Sequence, residues 1–251
     1  MENFKNQVVI VTGAGSGIGE ATALLFAQKG AKVVVSDINE IGGNNTLQQI
    51  TVAGGEAIFV KTNVANRKEV EALVHTTITQ YGQLDIMVNN AGIGGDFAFF
   101  AQITDEDWQR IIAINQTGVF YCMRAAIQVM KAAQSGNIVN VASLAGIGSA
   151  PRMGAYAASK HAVVGMTTTA AVEYAKYNIR INAVCPGVIK TPMGDSFKDL
   201  DPSASEIARK QIPMRRFGEA IEVANTISWL CSEGASFITG QAVRVDGGHR
   251  S

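Results

Sequence analysis

The 251-residue sequence predicts an α/β fold in one domain, residues 1–251, built on a mostly parallel sheet of seven strands covered by helices on both faces. Short apolar runs alternate with helical patterns from end to end. Those runs are nearly continuous in Val and Ile, as strands buried on both faces should be. The segments least suited to a helix or strand interior follow directly on the strands, where open α/β sheets bind ligands.

In chain order the strands are Val8 to Val11, Val33 to Val35, Ala57 to Val60, Leu84 to Val88, Ile138 to Val141, Ile179 to Val184 and Ala242 to Val245. Between the third and fourth strands Val70, Leu73, Val74, Thr77 and Ile78 recur at helical spacing. Asn66 with Glu69 three residues on resembles a capping box at the start of that helix. A further helix begins at Thr104, with Asp107 at the third position, and runs toward Met130. Strict alternation implies right-handed crossovers. No boundary, low-complexity stretch or repeat interrupts the pattern.

Composition narrows the function. The 21 basic and 21 acidic residues cancel and no basic run stands out, so neither nucleic acid nor a membrane surface is an expected partner. No apolar run is long enough to span a bilayer, and the amino terminus lacks the pattern of a secretory signal. Cys122, Cys185 and Cys231 are odd in number and lie in apolar contexts, which predicts core packing without disulfides and a cytoplasmic setting. His75, His161 and His249 have no neighbour at ligand spacing, so no metal site is expected.

Thr12-Gly13, Asp37, Asn89 to Gly92, Ser143 and Pro186-Gly187 each close a strand, so all five segments fall on one edge of the sheet. Gly13, Gly17 and Gly19 form a turn before a helix that begins near Ile18. Without Cβ atoms that backbone can approach a pyrophosphate, while the helix start supplies unpaired N–H groups. Asp37, 18 residues beyond Gly19, stands where an acidic residue receives the adenosine ribose. Its carboxylate would accept from both ribose hydroxyls and repel a 2′-phosphate. Its neighbours Ser16 and Ile38 are uncharged, so the expected cofactor is NAD rather than NADP.

Tyr156 is followed at four residues by Lys160, which puts a phenol and an ammonium on one helical face. A free phenol, with a pKa of about 10, accepts protons poorly near neutral pH. A cation beside it favours the phenolate and brings it into range for acid/base work.

With these motifs in place the chain resembles the short-chain dehydrogenase/reductase family in its classical branch. The resemblance rests on Thr12 to Gly19, Asn89 to Gly92, Asn115, Ser143, Tyr156 to Lys160 and Pro186 to Thr191, and covers essentially the whole length. It implies a seven-stranded Rossmann sheet and an NAD-dependent interconversion of a secondary alcohol and a ketone. In that reading Tyr156 is the acid/base, Ser143 bonds the substrate oxygen, Lys160 holds the nicotinamide ribose and depresses the tyrosine pKa, and Asn115 positions a water. It also implies that Gly13, Ser16, Gly17, Ile18 and Gly19 hold the phosphates, that Asn90 and Gly92 stand on the adenosine side, and that Pro186, Gly187, Ile189 and Thr191 stand at the carboxamide. Asn63-Val64 replaces the family's frequent Asp-Val, so the adenine contact would lack a charge. A homotetramer is implied too, with the helix of Tyr156 and the Val243 to Gly248 region at interfaces.

Three segments should wall the substrate: Ile93 to Phe100, Leu144 to Met153, and Val188 to about Ile212. Phe97, Phe99, Phe100, Ile147, Met153, Met193 and Phe197 make them apolar, although such residues more often serve core or subunit contacts. Asp96 could bind a polar group or face water. The stretch from Lys190 to Gln211 has the composition of a lid. The rival class is a non-catalytic dinucleotide sensor or scaffold, which would be expected to have lost Tyr156, Lys160 or Ser143. Among enzymes the alternative is a 3-oxoacyl-thioester reductase. Enoyl reductases of related fold place Tyr and Lys farther apart, and sugar-nucleotide epimerases need a further carboxyl-terminal domain.

Overall fold

The computed structural model describes residues 3–193 and 202–249. All seven expected strands are present: β1 (Val8–Thr12), β2 (Lys32–Asp37), β3 (Glu56–Lys61), β4 (Ile86–Asn89), β5 (Gly136–Val141), β6 (Ile179–Pro186) and β9 (Ala242–Val245). They lie in the order β3-β2-β1-β4-β5-β6-β9, and each neighbouring pair is parallel. The order reverses between β1 and β4, which opens a crevice beyond their carboxyl ends. A short ladder unforeseen in the sequence pairs β7 (Ile189–Lys190) with β8 (Gly218–Glu219). The fourth strand begins two residues later than its apolar run, and just before it the Asp85 carboxylate accepts the Val8 N–H at 2.7 Å.

The helices, in chain order, are α1 (Gly17–Gln28), α2 (Glu40–Val52), α3 (Arg67–Tyr81), α4 (Asp105–Ile111), α5 (Val119–Ala133), α6 (Gly154–Tyr174), α7 (Pro202–Gln211) and α8 (Ala220–Cys231). Alternate strand residues feed two cores. Ile10, Val34, Met87, Ile138 and Ile181 pack with α3, α5 and α6; Val9, Val11, Val33, Val35, Ile86 and Val88 pack with α1, α2 and α8. Burial of each large aliphatic side chain stabilises by roughly 1.5–3 kcal/mol relative to exposure. Both faces of the sheet are thus apolar, and the polar site is left to its edge. Cys122, Cys185 and Cys231 are buried. Among the described residues no helix is long and apolar enough to cross a membrane.

Two helix expectations are refined. Asn66 caps α3 by accepting from the Lys68 N–H, but Glu69 takes the Asn63 N–H and the Asn66 side-chain amide instead of closing a capping box. The Asn66 N–H is already bonded to the Asn63 carbonyl. The long helix from Thr104 is not uniform: α4 passes into a π-helical turn, Ile112–Gly118, before α5. Such turns cluster at functional sites, and this one carries Asn115.

Candidate active site

Gly13, Ser16, Gly17, Ile18, Asp37, Asn63, Val64, Asn90, Gly92 and Thr191 line one cleft over the crevice between β1 and β4. Gly13 and Gly17 have φ of 63° and 57°, the left-handed conformation that side chains resist. Gly19 does not line the cleft; a Cβ there would lie 2.0 Å from the Gly13 carbonyl oxygen, so its role is to let α1 seat on the turn. Ser16 makes no side-chain cap bond to α1, one residue before the helix start. The Asp37 carboxylate accepts the Gly15 and Asn39 N–H groups, each at 2.8 Å. A carboxylate has about four acceptor sites, so capacity for two hydroxyls remains. Uncapped first-turn N–H groups and a carboxylate at the end of β2 together fit a pyrophosphate and an adenosine ribose.

The remaining cofactor assignments fall in three settings. Asn90 staples the glycine turn, its amide donating to the Thr12 and Gly13 carbonyls at 3.0 and 2.9 Å. Asn63 folds its oxygen onto the Ala65 N–H at 3.0 Å. Pro186 closes β6, and the Gly187 N–H donates to the Val245 carbonyl. Ile189 is 7% exposed and packs into the core beneath α1 and α8, so its side chain is turned away from the cleft.

Tyr156 and Lys160 lie in the first two turns of α6, and Ser143 stands two residues beyond the end of β5. The Lys160 ammonium donates to the Val141 carbonyl at 2.8 Å and stands 5.6 Å from the centre of the Tyr156 ring. Both Lys160 and the Asn115 amide oxygen flank Gly92, so the catalytic cluster adjoins the cleft. Burial lowers Lys160 to about 8. Burial pushes the Tyr156 phenol above its ordinary value of 10, and the Ser143 hydroxyl pulls it down. Desolvation is the largest influence on the Tyr156 phenol, so its value lies above the ordinary one.

The sequence missed two members of this cluster, Ser159 and the Val141 carbonyl, while naming Asn115. Asn115 bonds the backbone of Ile93 in both directions at 2.8 Å, and its amide reaches the Ser159 hydroxyl at 3.3 Å. Ser159 in turn donates to the Tyr156 carbonyl at 2.7 Å. The Ser159 contact was hinted at only by its place inside the Tyr156 to Lys160 motif. The Val141 carbonyl had no signal, since any residue supplies one.

Residues of the three segments expected to wall the substrate fall in different settings, and Ile114 joins the cleft from outside them. Ile93, Ile114 and Met193 line the cleft, whereas Ile147 packs against the core. Phe99 and Phe100 are 65% and 77% exposed, with the Arg152 guanidinium 5.3 Å from the Phe99 ring centre. The Ala98 N–H donates to the Arg152 carbonyl at 3.0 Å and ties the first wall to the second. Asp96 is exposed, 3.8 Å from Arg110. Phe197 lies outside the described residues. Among the described residues no group of three or more His, Cys, Asp or Glu could hold a metal ion.

Comparison with known proteins agrees with this geometry. A family model described as enoyl-(acyl carrier protein) reductase matches residues 13–250. The chain is 42% identical to a cyclohexanol dehydrogenase of Acinetobacter sp. (strain SE19) over 99% of its own length and 96% of that protein's. It is 41% identical to the 3-oxoacyl-[acyl-carrier-protein] reductase FabG of Thermotoga maritima, over 98% of each. The crystal structure of an NAD+-bound xylitol dehydrogenase superposes with a TM-score of 0.95 at 33% identity, covering 98% of this chain and 99% of that one. With its sheet order, its glycine turn and its Tyr156 to Lys160 helix, the chain belongs to the short-chain dehydrogenase/reductase family.

Proposed function

We propose that this protein is an NAD(H)-dependent oxidoreductase that interconverts an apolar secondary alcohol and its ketone, with Tyr156 as acid/base. The observation that carries the reading is the meeting of Tyr156, Ser143, Lys160 and Asn115 beside a cleft that ends at Asp37. When bound, a nicotinamide dinucleotide supplies the hydride acceptor or donor. Tyr156 moves the proton at the substrate oxygen, and Ser143 holds that oxygen. In the reductive direction the neutral phenol favoured by burial is already the proton donor. In the oxidative direction Lys160, held by the Val141 carbonyl, supplies the positive charge that favours the phenolate.

The aliphatic lining from Ile93, Ile114 and Met193 and the likeness to a cyclohexanol dehydrogenase favour a compact cyclic alcohol. The likeness to FabG supports reduction of a 3-oxoacyl thioester as the second reading. The NAD-bound xylitol dehydrogenase and the Asp37 carboxylate both support NAD. Soluble protein in the cytoplasm, assembled as a homotetramer, completes the proposal.

The test is turnover of cyclohexanol with NAD, of cyclohexanone with NADH, and of acetoacetyl thioesters with NADH and NADPH, with Tyr156→Phe as control. Tyr156→Phe should lower turnover by about 10²- to 10⁴-fold. Near-full turnover by that variant rejects the mechanism. Preference for the thioester selects the second reading, and dinucleotide binding without turnover of any alcohol or ketone would revive a sensor or scaffold role.

A further inference from the structure

We propose that Asn140 is a positioning residue that fixes the rotation of α6 against the cofactor loop Asn90–Gly92, an inference that rests on the reading of Tyr156 and Lys160 as the reacting pair. The Val141 carbonyl grips Lys160 near the start of α6. The Asn115 amide bonds Ser159, and Val163 and Ala171 pack in the core, but from β5 this one contact alone does not set the roll of the 21-residue helix. A second contact comes from the adjacent residue of β5: the Asn140 amide donates to the Thr167 hydroxyl at 2.8 Å. Thr167 is seven residues beyond Lys160, almost two full turns, and so lies on nearly the same helical face.

The chain of bonds through Asn140 has a single direction. Thr167 Oγ1 is 2.7 Å from the Val163 carbonyl, which can only accept, so the hydroxyl proton points there. Thr167 must then accept from Asn140, which turns Nδ2 toward α6 and Oδ1 toward β4. There Oδ1 accepts from Asn89 Nδ2 at 2.7 Å, while the second Nδ2 proton faces Met123 Sδ on α5 at 3.4 Å. Asn89 is the residue that precedes the Asn90–Gly92 loop. Asn89, Asn140, Thr167 and Met123 are 2%, 0%, 0% and 4% exposed. Water therefore cannot substitute for a lost partner from outside. Apolar side chains of similar shape would fill this space without the desolvation cost, so what the polar row adds is direction. It links the cofactor loop, the inner helix and the catalytic helix through one amide.

Thr167→Val keeps the volume and removes the hydroxyl, with Thr167→Ser as the conservative control. For Thr167→Val we expect kcat to fall about 10- to 100-fold, the range for a displacement near 1 Å, with KM little changed. We also expect a displaced titration midpoint of Tyr156, read by tyrosinate absorbance in the protein without cofactor as the difference from Tyr156→Phe. Thr167→Ser should retain the wild-type kcat and midpoint. If Thr167→Val does not fold, Thr167→Ala is read in its place. A variant lacking the hydroxyl that loses only melting temperature, with wild-type kcat and Tyr156 midpoint, overturns the proposal. Full turnover by Tyr156→Phe would instead remove the underlying reading, while the absorbance titrations still decide whether Asn140 and Thr167 align α6.

Discussion

The side chain of Asn115 and the backbone of Ile93 hold each other by two hydrogen bonds of 2.8 Å, one in each direction. This pair joins the π-helical turn to the first residue beyond the Asn89 to Gly92 segment, and Ile93 lines the cleft. An aspartate at 115 could accept from the Ile93 N–H but could not donate to its carbonyl or to Ser159. Asn115→Asp should therefore cost about 1–3 kcal/mol, read by urea denaturation, and should lower kcat more than it weakens dinucleotide binding. Unchanged stability would show that the pair holds nothing.

Lys160 makes stability depend on pH with a definite sign. Its folded-state value of about 8 lies below its ordinary 10.5 because burial disfavours the ammonium. Below pH 8 both states carry the proton and the folded chain bears the full penalty. Between pH 8 and 10.5 the unfolded chain holds more protons, so this group's contribution to stability rises with pH. The gap is on the order of 3 kcal/mol. Thermal or denaturant unfolding of the wild type and Lys160→Met should show the wild type gaining on the variant across that window. Parallel curves would place the ammonium in a wetter site.

Under the proposed function, Asp37 carries the preference for NAD. Its carboxylate already accepts two backbone N–H groups, and hydrogen bonds to a charged group contribute about 1.5–3 kcal/mol. Asp37→Ala should lower the NAD to NADP ratio of kcat/KM by about 10- to 100-fold. An unchanged ratio would mean that the residue only closes the turn.

Gly19 admits no side chain. A Cβ there would stand 2.0 Å from the Gly13 carbonyl oxygen and 2.4 Å from the Asn90 amide nitrogen. Both belong to the stapled turn, which has no room to yield. Gly19→Ala should lower the melting temperature and abolish dinucleotide binding in calorimetry; a variant that binds with wild-type affinity would contradict the seating of α1.

Legibility followed range. The strands were readable because both faces of a parallel sheet demand unbroken apolar runs, as in Val8–Thr12 and Lys32–Asp37. The glycine turn and Asp37 were readable because their spacing is local. Ser159, the Val141 carbonyl and the Asn140 row were not, since their partners stand 44, 19 and 27 residues away and no residue type announces such a pairing. The π turn likewise carries no marker in Ile112–Gly118. Ile189 shows what a motif position leaves open: its side chain is buried in the core beside a two-residue ladder with Gly218, so only its backbone is left to face a cofactor.

By itself, then, the sequence determined the α/β architecture, the edge on which Gly13, Asp37, Asn90, Ser143 and Pro186 gather, and the chemistry those residue types can perform. Periodicity and short-range spacing are enough for that, because they follow from helix and strand geometry. Only the tertiary structure decided how the groups are held and charged. Lys160 meets the Val141 carbonyl, Asn115 meets Ile93, and Tyr156 is raised above its ordinary value. Desolvation and long-range hydrogen bonds depend on what surrounds a group in space, and the order of residues along the chain does not specify those surroundings.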